Sequence, residues 1–451
     1  MKILIIGDGK VGSTIVNHLS KEGHEITVLD NNPQVIENIV DTYDVMGISG
    51  NGASYEILKS AGAGKCDLVV ACTNSDEINI ISCLICKKLG AKYAIARVRN
   101  YDYNEQVEQM REDFGIDMTI NPELETAIDI LNIVKFPEAQ RVDSFADGKV
   151  DLIELYVPDN SPLIGKTLFS IRSEYKVKVL ICAVQRGDQV FIPTGQFTFE
   201  PKDKIHITSS RANLKEFIDK LGYVNHKIKN IMIIGGGRTS VYLTERLIEN
   251  GCNVKIIEKD YEKCKELSSL LPKADIIFGV ESNQGLLESE GLDRMDAVIC
   301  LTGLDEENII VSMYAHQRNI SKVIAKVDKS SFASILNEIG TATIVSPKET
   351  TANRIVSYVR SNENIHGSNV ITLYKLLGNQ VEAVEFIAKK NSKVISIPIK
   401  DLKVKNNTLI AAIIRKEEVI IPSGNDTIIE SDLVIIITKG EYLDDLDDIM
   451  E

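Results

Sequence analysis

Three glycines near the N-terminus, Gly7, Gly9 and Gly12, have the spacing G-x-G-x-x-G, and Asp30 follows Gly12 by 18 residues. Glycine at these three positions permits a tight turn, a close approach of pyrophosphate to the backbone, and close packing of a helix on a strand. The N-terminus of that helix offers amide N–H groups and partial positive charge to phosphates. A carboxylate at Asp30 can accept both ribose hydroxyls of an adenosine and would repel a 2′-phosphate. The pattern predicts a dinucleotide site.

The elements around these residues are those that the chemistry needs. The apolar run at residues 2–6 predicts a buried parallel strand, residues 11–19 predict a helix with an apolar face, and residues 25–29 predict a second strand that ends at Asp30. A glycine triplet alone is weak evidence, but it is strong between a strand and a helix with an acid at the expected distance. The alternative interpretation is a glycine turn that binds nothing.

The chain repeats this opening. Residues 229–258 form a second copy, in which Gly235 corresponds to Gly7 and Glu258 to Asp30, both at an offset of 228 residues. Further paired segments are 61–80 with 288–309, 92–98 with 321–327, 121–127 with 346–352, and 190–195 with 419–424. Because this period is far longer than that of a solenoid repeat, it indicates duplication of a whole two-part unit.

Within the first copy, strands and helices alternate, which predicts an α/β fold with a doubly wound parallel sheet. We predict strands near 2–6, 25–30, 44–48, 66–72, 92–97 and 116–120, and helices near 10–22, 33–42, 53–61, 76–90, 103–113 and 122–134. A small α+β lobe follows, with strands at 150–157, 177–184, 189–192 and 203–208 and helices at 165–174 and 211–221.

The predicted architecture is therefore a tandem duplication of a Rossmann domain and a small lobe. The expected domains are 1–125 and 228–350 for the Rossmann domains, and 140–226 and 366–451 for the lobes. The helices near 122–134 and 347–360 are expected to bridge each pair.

Other polar residues of the first copy follow the predicted strands. Asn51 lies in a flexible turn after strand 3, beside the expected adenine edge, and Thr73 and Asn74 follow strand 4, where small polar residues could contact the ribose or adenine. Asp76 is expected to cap the next helix. Arg97, at the end of strand 5, is a candidate for a phosphate contact. A structural ion pair is the other interpretation of Arg97, and the two remain open.

The second copy departs from the first at several positions. Ser240 stands where the third glycine should be, so the helix is expected slightly further from its strand. Arg238 could clamp a phosphate, Thr302 follows strand 4, and Lys326 replaces arginine at the end of strand 5. We expect nucleotide binding here as well, with a ligand that the sequence leaves open.

Composition limits the class of protein. The net charge of −14 over 451 residues argues against a nucleic-acid partner. No apolar run approaches the roughly 20 residues of a membrane helix, and the N-terminus enters a strand without the features of a signal peptide, so a cytoplasmic protein is expected. Most of the cysteines lie in apolar patterns and are expected to behave as small hydrophobic residues. No metal site is predicted.

These features resemble a known family. The two copies GDGKVG and GGGRTS, the segment LTGLDEEN and the lobe motif SPLIGKTL at 161–168 are similar to those of the Trk-system potassium uptake regulatory subunits, which are tandem regulators of potassium conductance. The resemblance covers essentially the whole chain. It implies a non-enzymatic, homotetrameric cytoplasmic ring, peripheral to the membrane through a potassium-translocating partner subunit. It also implies binding of NAD(H), and often ATP or ADP, at the Rossmann domains.

The resemblance also implies the residues of the two sites. The first set is Gly7, Asp8, Gly9, Lys10, Val11, Gly12, Asp30, Asn51, Thr73, Asn74 and Arg97. The second set is Gly235, Gly236, Gly237, Arg238, Thr239, Glu258, Gly279, Thr302 and Lys326. Ser240, Lys326 and Lys348, which stands where the first copy has Glu123, leave the ligand of the second site in doubt.

Two other functions are compatible with a glycine turn of this kind. An NAD-dependent oxidoreductase is the main alternative, but neither small lobe offers a convincing proton donor set. A scaffold with vestigial sites is opposed by the intact first glycine triplet and Asp30.

Overall fold

The computed structural model describes most of the chain, namely residues 1–100, 103, 106, 107, 109–223, 227–329, 331–333, 336, 340–363, 370–377, 380–441 and 443–451. It divides into two compact units. The first unit comprises Met1–Ile128 and Val345–Val359, and the second comprises Asp129–Ile344 and Arg360–Glu451.

The first unit is built on a six-stranded parallel sheet in the order β3-β2-β1-β4-β5-β6. The strands are β1 (Lys2–Ile6), β2 (Glu25–Asp30), β3 (Met46–Ser49), β4 (Leu68–Ala71), β5 (Tyr93–Arg97) and β6 (Met118–Ile120). The helices are α1 (Lys10–Leu19), α2 (Pro33–Thr42), α3 (Tyr55–Ser60), α4 (Asp76–Leu89), α5 (Arg111–Phe114) and α6 (Pro122–Lys135), the last of which continues past the unit boundary. The strand order reverses between β1 and β4, and ligands of such sheets bind at the carboxyl ends of those strands.

A helix from the second copy of the sequence completes the core of the first unit. This helix, α13 (Pro347–Glu363), shares a hydrophobic core with β1 and α1 through Ala352, Ile355, Val356 and Val359. At its first turn, Glu349 Oε2 lies 3.0 Å from Nε2 of His18, and this contact lowers the pKa of Glu349. The core of the first unit therefore contains residues from both copies of the sequence.

The second unit contains another parallel sheet of the same topology, in the order β14-β13-β12-β15-β16-β17. The strands are β12 (Asn230–Ile234), β13 (Asn253–Glu258), β14 (Asp275–Phe278), β15 (Ala297–Cys300), β16 (Lys322–Lys326) and β17 (Thr343–Val345). The helices are α9 (Arg238–Glu249), α10 (Tyr261–Leu270), α11 (Gln284–Ser289) and α12 (Asp305–Gln317).

Two antiparallel sheets in the second unit form the small lobes, in the orders β10-β9-β11-β8-β7 and β18-β19-β22-β20-β21. The first has β7 (Ala139–Phe145), β8 (Val150–Tyr156), β9 (Leu180–Arg186), β10 (Gln189–Phe191), β11 (Lys204–Ser210), α7 (Leu168–Tyr175) and α8 (Arg211–Lys220). The second has β18 (Val370–Leu376), β19 (Val381–Ile387), β20 (Thr408–Arg415), β21 (Glu418–Ile420) and β22 (Leu433–Lys439). The two sheets share one hydrophobic core, to which Phe145, Leu152, Cys182, Leu376, Ala412 and Ile437 contribute.

The predicted fold class, two doubly wound sheets each followed by a small α+β lobe, is confirmed. The prediction missed β7, because its sequence AQRVDSF lacks an apolar run. The predicted helix near 103–113 falls partly outside the described residues, as do the expected domain limits at 226 and 366. The four-part domain division stays a prediction.

Two smaller expectations concern membranes and thiols. Of the helices that the structure describes, none combines the length and apolar character needed to cross a membrane. Cys66, Cys72, Cys83, Cys182 and Cys300 are buried free thiols, as predicted.

Candidate functional site

The first glycine turn joins β1 to α1 with the geometry that the spacing predicts. Gly7 has φ +95°, and a Cβ there would lie 2.8 Å from the Thr73 nitrogen. A Cβ on Gly12 would lie 2.1 Å from the carbonyl oxygen of Gly7, so the helix packs against the turn without room for a side chain. A Cβ on Gly9 would meet nothing within 4 Å. Gly7 and Gly12 therefore serve the fold, and Gly9 leaves the space above the turn open.

The N-terminus of α1 is suited to an anion. Gly9 is the N-cap, and within the described residues no side chain caps the helix and no acidic residue lies in its first turn. Lys10 is exposed beside the turn, and Val11 is buried beneath it. The amide N–H groups of this turn carry the partial positive charge that phosphates bind.

Asp30 lies at the end of β2, next to the turn. Its Oδ2 accepts a hydrogen bond from the Asp8 amide at 2.8 Å, and its Oδ1 accepts one from the Asn32 amide at 2.9 Å. The side chain of Asp8 is half-buried beside it, and burial together with the Asp30 charge raises the pKa of Asp8 to about 6. The carboxylate of Asp30 keeps lone pairs for a diol, because each amide uses only one of them.

Thr73 and Arg97 meet at the ends of β4 and β5. Arg97 Nη1 donates to the Thr73 carbonyl oxygen at 3.2 Å, while Arg97 Nε is buried and, among the described residues, has no hydrogen-bond partner. Burial and the neighbouring charge of Arg99 lower the pKa of Arg97. Among the described residues, the ion pair at this corner joins Arg99 to Glu123, so the ion-pair interpretation of Arg97 stays a prediction. The phosphate contact stays a prediction.

Asn79 holds this corner together. Its Oδ1 accepts from both the amide and the hydroxyl of Thr73 at 2.8 Å, and its Nδ2 donates to the Arg97 carbonyl oxygen at 2.9 Å. The side chain is fully buried, so it positions the site and does not face a ligand. Sequence reasoning gave it no positioning role, although the same Thr-x5-Asn spacing recurs at Thr302 and Asn308.

The prediction that Asp76 caps α4 is wrong by one residue. Ser75 is the N-cap of α4, since its hydroxyl accepts from the Ile78 amide at 3.2 Å. Asp76 instead accepts from the amides of Arg99 and Asn100 at 2.8 and 2.7 Å. Serine and aspartate are both common N-caps, and here the Asp76 carboxylate instead accepts the amides of the loop after β5.

Two of the predicted residues, Asn51 and Asn74, make no hydrogen bond to the rest of the first site within the described residues. Asn51 is exposed, and its Oδ1 accepts from the Ala53 amide at 2.9 Å within its own turn. Asn74 is exposed after β4, and within the described part of the chain it makes no hydrogen bond to the other predicted residues. Their roles stay predictions.

The second glycine turn keeps the backbone shape of the first despite its different residues. Gly235 has φ +95°, Gly237 is the N-cap of α9, and a Cβ on Gly237 would meet nothing within 4 Å. Ser240, fully buried, donates its hydroxyl proton to the Gly235 carbonyl oxygen at 2.5 Å. Ser240 is thus accommodated because its side chain hydrogen-bonds to the turn, whereas Gly12 packs against the first turn because it has no side chain. Arg238 is exposed in the first turn of α9, and Thr239 is buried next to it.

Glu258 occupies the position of Asp30 but has an additional partner. Its Oε2 accepts from the Gly236 amide and from Lys263 Nζ, both at 2.8 Å, and its Oε1 accepts from the Asp260 amide at 3.0 Å. Burial opposes ionisation of Glu258, but these bonds outweigh it and lower its pKa. A Cβ on Gly236 would lie 2.3 Å from Leu267 Cδ1, so a side chain like that of Asp8 would have to displace the end of the Leu267 side chain.

The rest of the second site repeats the first with substitutions. Asn308 Oδ1 accepts from the Thr302 amide and hydroxyl at 2.9 Å, and Asn308 Nδ2 donates to the Lys326 carbonyl oxygen at 2.9 Å. The Gly279 amide donates to the Glu258 carbonyl oxygen at 3.0 Å, as the Gly50 amide does to Asp30. Gly279 is therefore the counterpart of Gly50.

Family models match both halves of the chain. The TrkA-N domain model matches residues 3–122 and 231–347, and the TrkA-C domain model matches residues 152–222 and 383–451. The chain belongs to the TrkA family. The resemblance drawn from the sequence is confirmed, because the paired matches coincide with the two glycine turns and the two lobes.

Named members of the TrkA family match the chain over nearly its whole length. The Trk system potassium uptake protein TrkA of Vibrio alginolyticus is 30% identical over 99% of this chain and 98% of its own. TrkA homolog 1 of Methanosarcina mazei is 31% identical over 98% of both chains. These are names of transport proteins and not of enzymes, which supports a regulatory role in potassium transport for this family member.

Solved structures with the same fold come from a channel. The GsuK RCK domain covers 97% of this chain and 92% of its own at 17% identity, with a TM-score of 0.63. The GsuK channel bound to NAD covers 97% of this chain and 77% of its own at 18% identity, with a TM-score of 0.62. At these identities the match establishes the fold alone.

The residues of the first TrkA-N domain fit a nucleotide. The space above Gly9 is open, the helix N-terminus lacks a capping side chain within the described residues, and the buried Arg97 Nε has no partner there. An orphaned buried donor costs free energy unless a ligand or water satisfies it. Phosphate oxygens would satisfy both the amides and the guanidinium.

Proposed function

We propose that this TrkA-family chain is a regulatory subunit that senses nucleotides and controls a potassium-translocating membrane protein. NAD(H) is the primary ligand, and ATP or ADP competes for the same place. The observation that carries the proposal is the open, uncapped glycine turn at Gly9 beside Asp30, each of whose carboxylate oxygens accepts only one amide. We infer the potassium-translocating partner from membership of the TrkA family.

Each group of the first site has a distinct part in binding. The amides of α1 and the side chains of Lys10 and Arg97 hold the phosphates, and Asp30 accepts the hydroxyls of the adenosine ribose. Thr73 and Asn74 contact the ribose or adenine from the end of β4, and Asn51 does so from the turn after β3. The charge of Asp30 excludes a 2′-phosphate, so NADPH binds poorly.

The second site is assigned the corresponding residues. Its turn holds phosphates through the amides of Gly235, Gly236, Gly237 and Thr239 and the exposed Arg238. Lys326 and Thr302 lie at the carboxyl ends of β16 and β15, Gly279 follows β14, and Glu258 binds the ribose.

Regulation follows from differential binding. A ligand that binds two conformations of the assembled subunit with different affinity shifts their populations, and the membrane partner responds to that shift. We propose a homotetramer on the cytoplasmic face of the membrane, held there by the potassium-translocating partner. The four-part domain organisation proposed from the sequence provides two nucleotide domains per chain.

A thermal-shift titration tests the ligand. The purified chain is melted with NADH, NAD, ATP, ADP or NADPH, and absorbance at 340 nm is followed in the same samples. A ligand at about 100 times its dissociation constant adds roughly 2.7 kcal/mol of stability, which is easily seen as a raised midpoint. Stabilisation by NADH without its consumption supports a sensor, while loss of NADH with candidate substrates would contradict it in favour of an oxidoreductase.

A flux assay tests the regulation. The chain is reconstituted with its potassium-translocating partner in vesicles, and potassium flux is measured with each nucleotide. Asp30→Ala should abolish the nucleotide response that depends on the first site. Flux that is unchanged by all nucleotides would overturn the proposed function.

A further inference from the structure

Four positions near the ribose-binding acid change from uncharged to charged between the two sites. Matching the starts of equivalent helices pairs Asn31 with Lys259, Val35 with Lys263, Gly52 with Glu281 and Ile78 with Glu307. The four substitutions lie in different elements and converge on one end of the second site. They therefore change the environment of Glu258 while leaving the glycine turn intact.

Lys263 makes the most direct contact. Its ammonium lies 2.8 Å from Glu258 Oε2, and the two side chains are 39% and 4% exposed. Apart from that lysine, the two acids are held alike, since each carboxylate accepts one amide at each oxygen. Within the described part of the chain, Asp30 has no basic side chain at hydrogen-bond distance.

The neighbouring charges form a second, linked cluster. Lys259 Nζ lies 3.1 Å from Glu281 Oε2 and 3.7 Å from Glu307 Oε2. Glu281 is 2% exposed, and burial, followed by the charge of Glu307, raises its pKa. Three carboxylates thus face two ammonium groups, so the lysines do not turn this end into a pocket for an additional phosphate.

We propose that Lys263 lowers the affinity of the second site for nucleotides with a free ribose diol, because its ammonium occupies the carboxylate that the diol would need. Ribose hydroxyls must displace an ammonium from a buried carboxylate there, whereas at Asp30 they meet lone pairs that are open. The second site consequently binds NADH or ADP more weakly than the first. This inference rests on the proposed function, since it deepens the role of the same ribose-binding position.

Removal of the first site isolates the second. In the full-length Asp30→Ala chain, NADH and ADP binding is measured by titration calorimetry with and without Lys263→Val, the residue type that the first copy has at Val35. Because a charge-assisted hydrogen bond is regained, affinity should rise about tenfold or more. Lys265→Val, on the same helix and paired with exposed Glu262, is the matched control and should leave the affinity as it was.

The reciprocal variant guards against misfolding. Val35→Lys, at a half-buried surface position of the first unit, should weaken NADH binding at the first site about tenfold, with an unchanged circular-dichroism spectrum. An Asp30→Ala chain that prefers NADPH to NADH would overturn the inference, because the lysines would then recognise a phosphate. It would also be overturned if the wild type bound NADH through Asp30 while both lysine exchanges had no effect. Absence of nucleotide binding by every chain would instead overturn the proposed function.

Discussion

The amide N–H of Asp8 donates to Oδ2 of Asp30 at 2.8 Å, which brings two carboxyl groups side by side at the first glycine turn. Asp8 Oδ1 is buried and, among the described residues, accepts no hydrogen bond. Burial and the charge of Asp30 raise the pKa of Asp8 to about 6. Ionised Asp8 therefore destabilises the folded first unit near neutral pH.

Asp8→Asn should stabilise the protein above about pH 6. The pKa of Asp8 is about 6 when folded, against an ordinary value of 3.8, so between these values the folded chain holds the proton more tightly than the unfolded chain. Its contribution to stability is complete below the lower value and lost as pH rises through about 6. The variant should melt above the wild type at about pH 8 and level with it near about pH 4. The exposed Asp41→Asn is the control, and equal midpoints at the higher pH would contradict the prediction.

Gly9→Ala and Gly12→Ala should separate binding from stability. A Cβ on Gly12 would lie 2.1 Å from the Gly7 carbonyl oxygen, and such overpacking costs roughly 1–3 kcal/mol. A Cβ on Gly9 meets nothing within 4 Å, so that variant should unfold like the wild type while its methyl group obstructs the pyrophosphate. Urea unfolding and NADH titration of both variants provide the measurement. Equal destabilisation by the two substitutions would be inconsistent with this turn geometry.

Because of Lys322 in the second unit, the free energy of unfolding should increase as the pH rises above neutral. Its Nζ donates to the Ala139 carbonyl oxygen at 2.6 Å, and burial lowers its pKa to about 7, partly offset by the charge of Glu138. Between about 7 and the ordinary 10.5, the unfolded chain binds a proton that the folded chain lacks, so stability increases with pH. Lys322→Met should flatten this slope between about pH 7 and 9 in melting experiments. A slope identical to that of the wild type would exclude Lys322 as its source.

The sequence could predict the two parallel sheets because buried parallel strands such as Lys2–Ile6 are continuous apolar runs next to a diagnostic turn. It could not place α13, since the apolar stripe of Ala352, Ile355 and Val359 would cover any sheet face equally well. The role of Asn79 was missed because a buried bridging amide and a ligand-facing amide have the same sequence context.

The ion pairs around Glu258 could not be predicted from the sequence, for a different reason. Lys259, Lys263, Glu281 and Glu307 belong to separate segments, and only the folded sheet brings them together. The glycine positions, by contrast, are fixed by local backbone sterics, which spacing alone reveals.

Each lobe depends on one arginine that neutralises a buried aspartate. Arg186 donates from Nε and Nη2 to Asp203, both at 2.8 Å, and Arg415 repeats the arrangement with Asp432 at 3.0 and 2.8 Å. Asp203 is fully buried in the intact lobe, so removal of the arginine leaves its carboxylate without its charge partner.

Arg186→Met should therefore destabilise the chain by roughly 3 kcal/mol, as expected for breaking a buried pair from one side. Adding Asp203→Asn should recover part of the loss, because no unpaired charge remains in the lobe. Lys2→Ala, which removes an exposed pair with Glu25, should cost less than about 1 kcal/mol. Urea unfolding of the full-length variants measures all three. If the double variant were less stable than Arg186→Met alone, the buried charge would not be the cause of the loss.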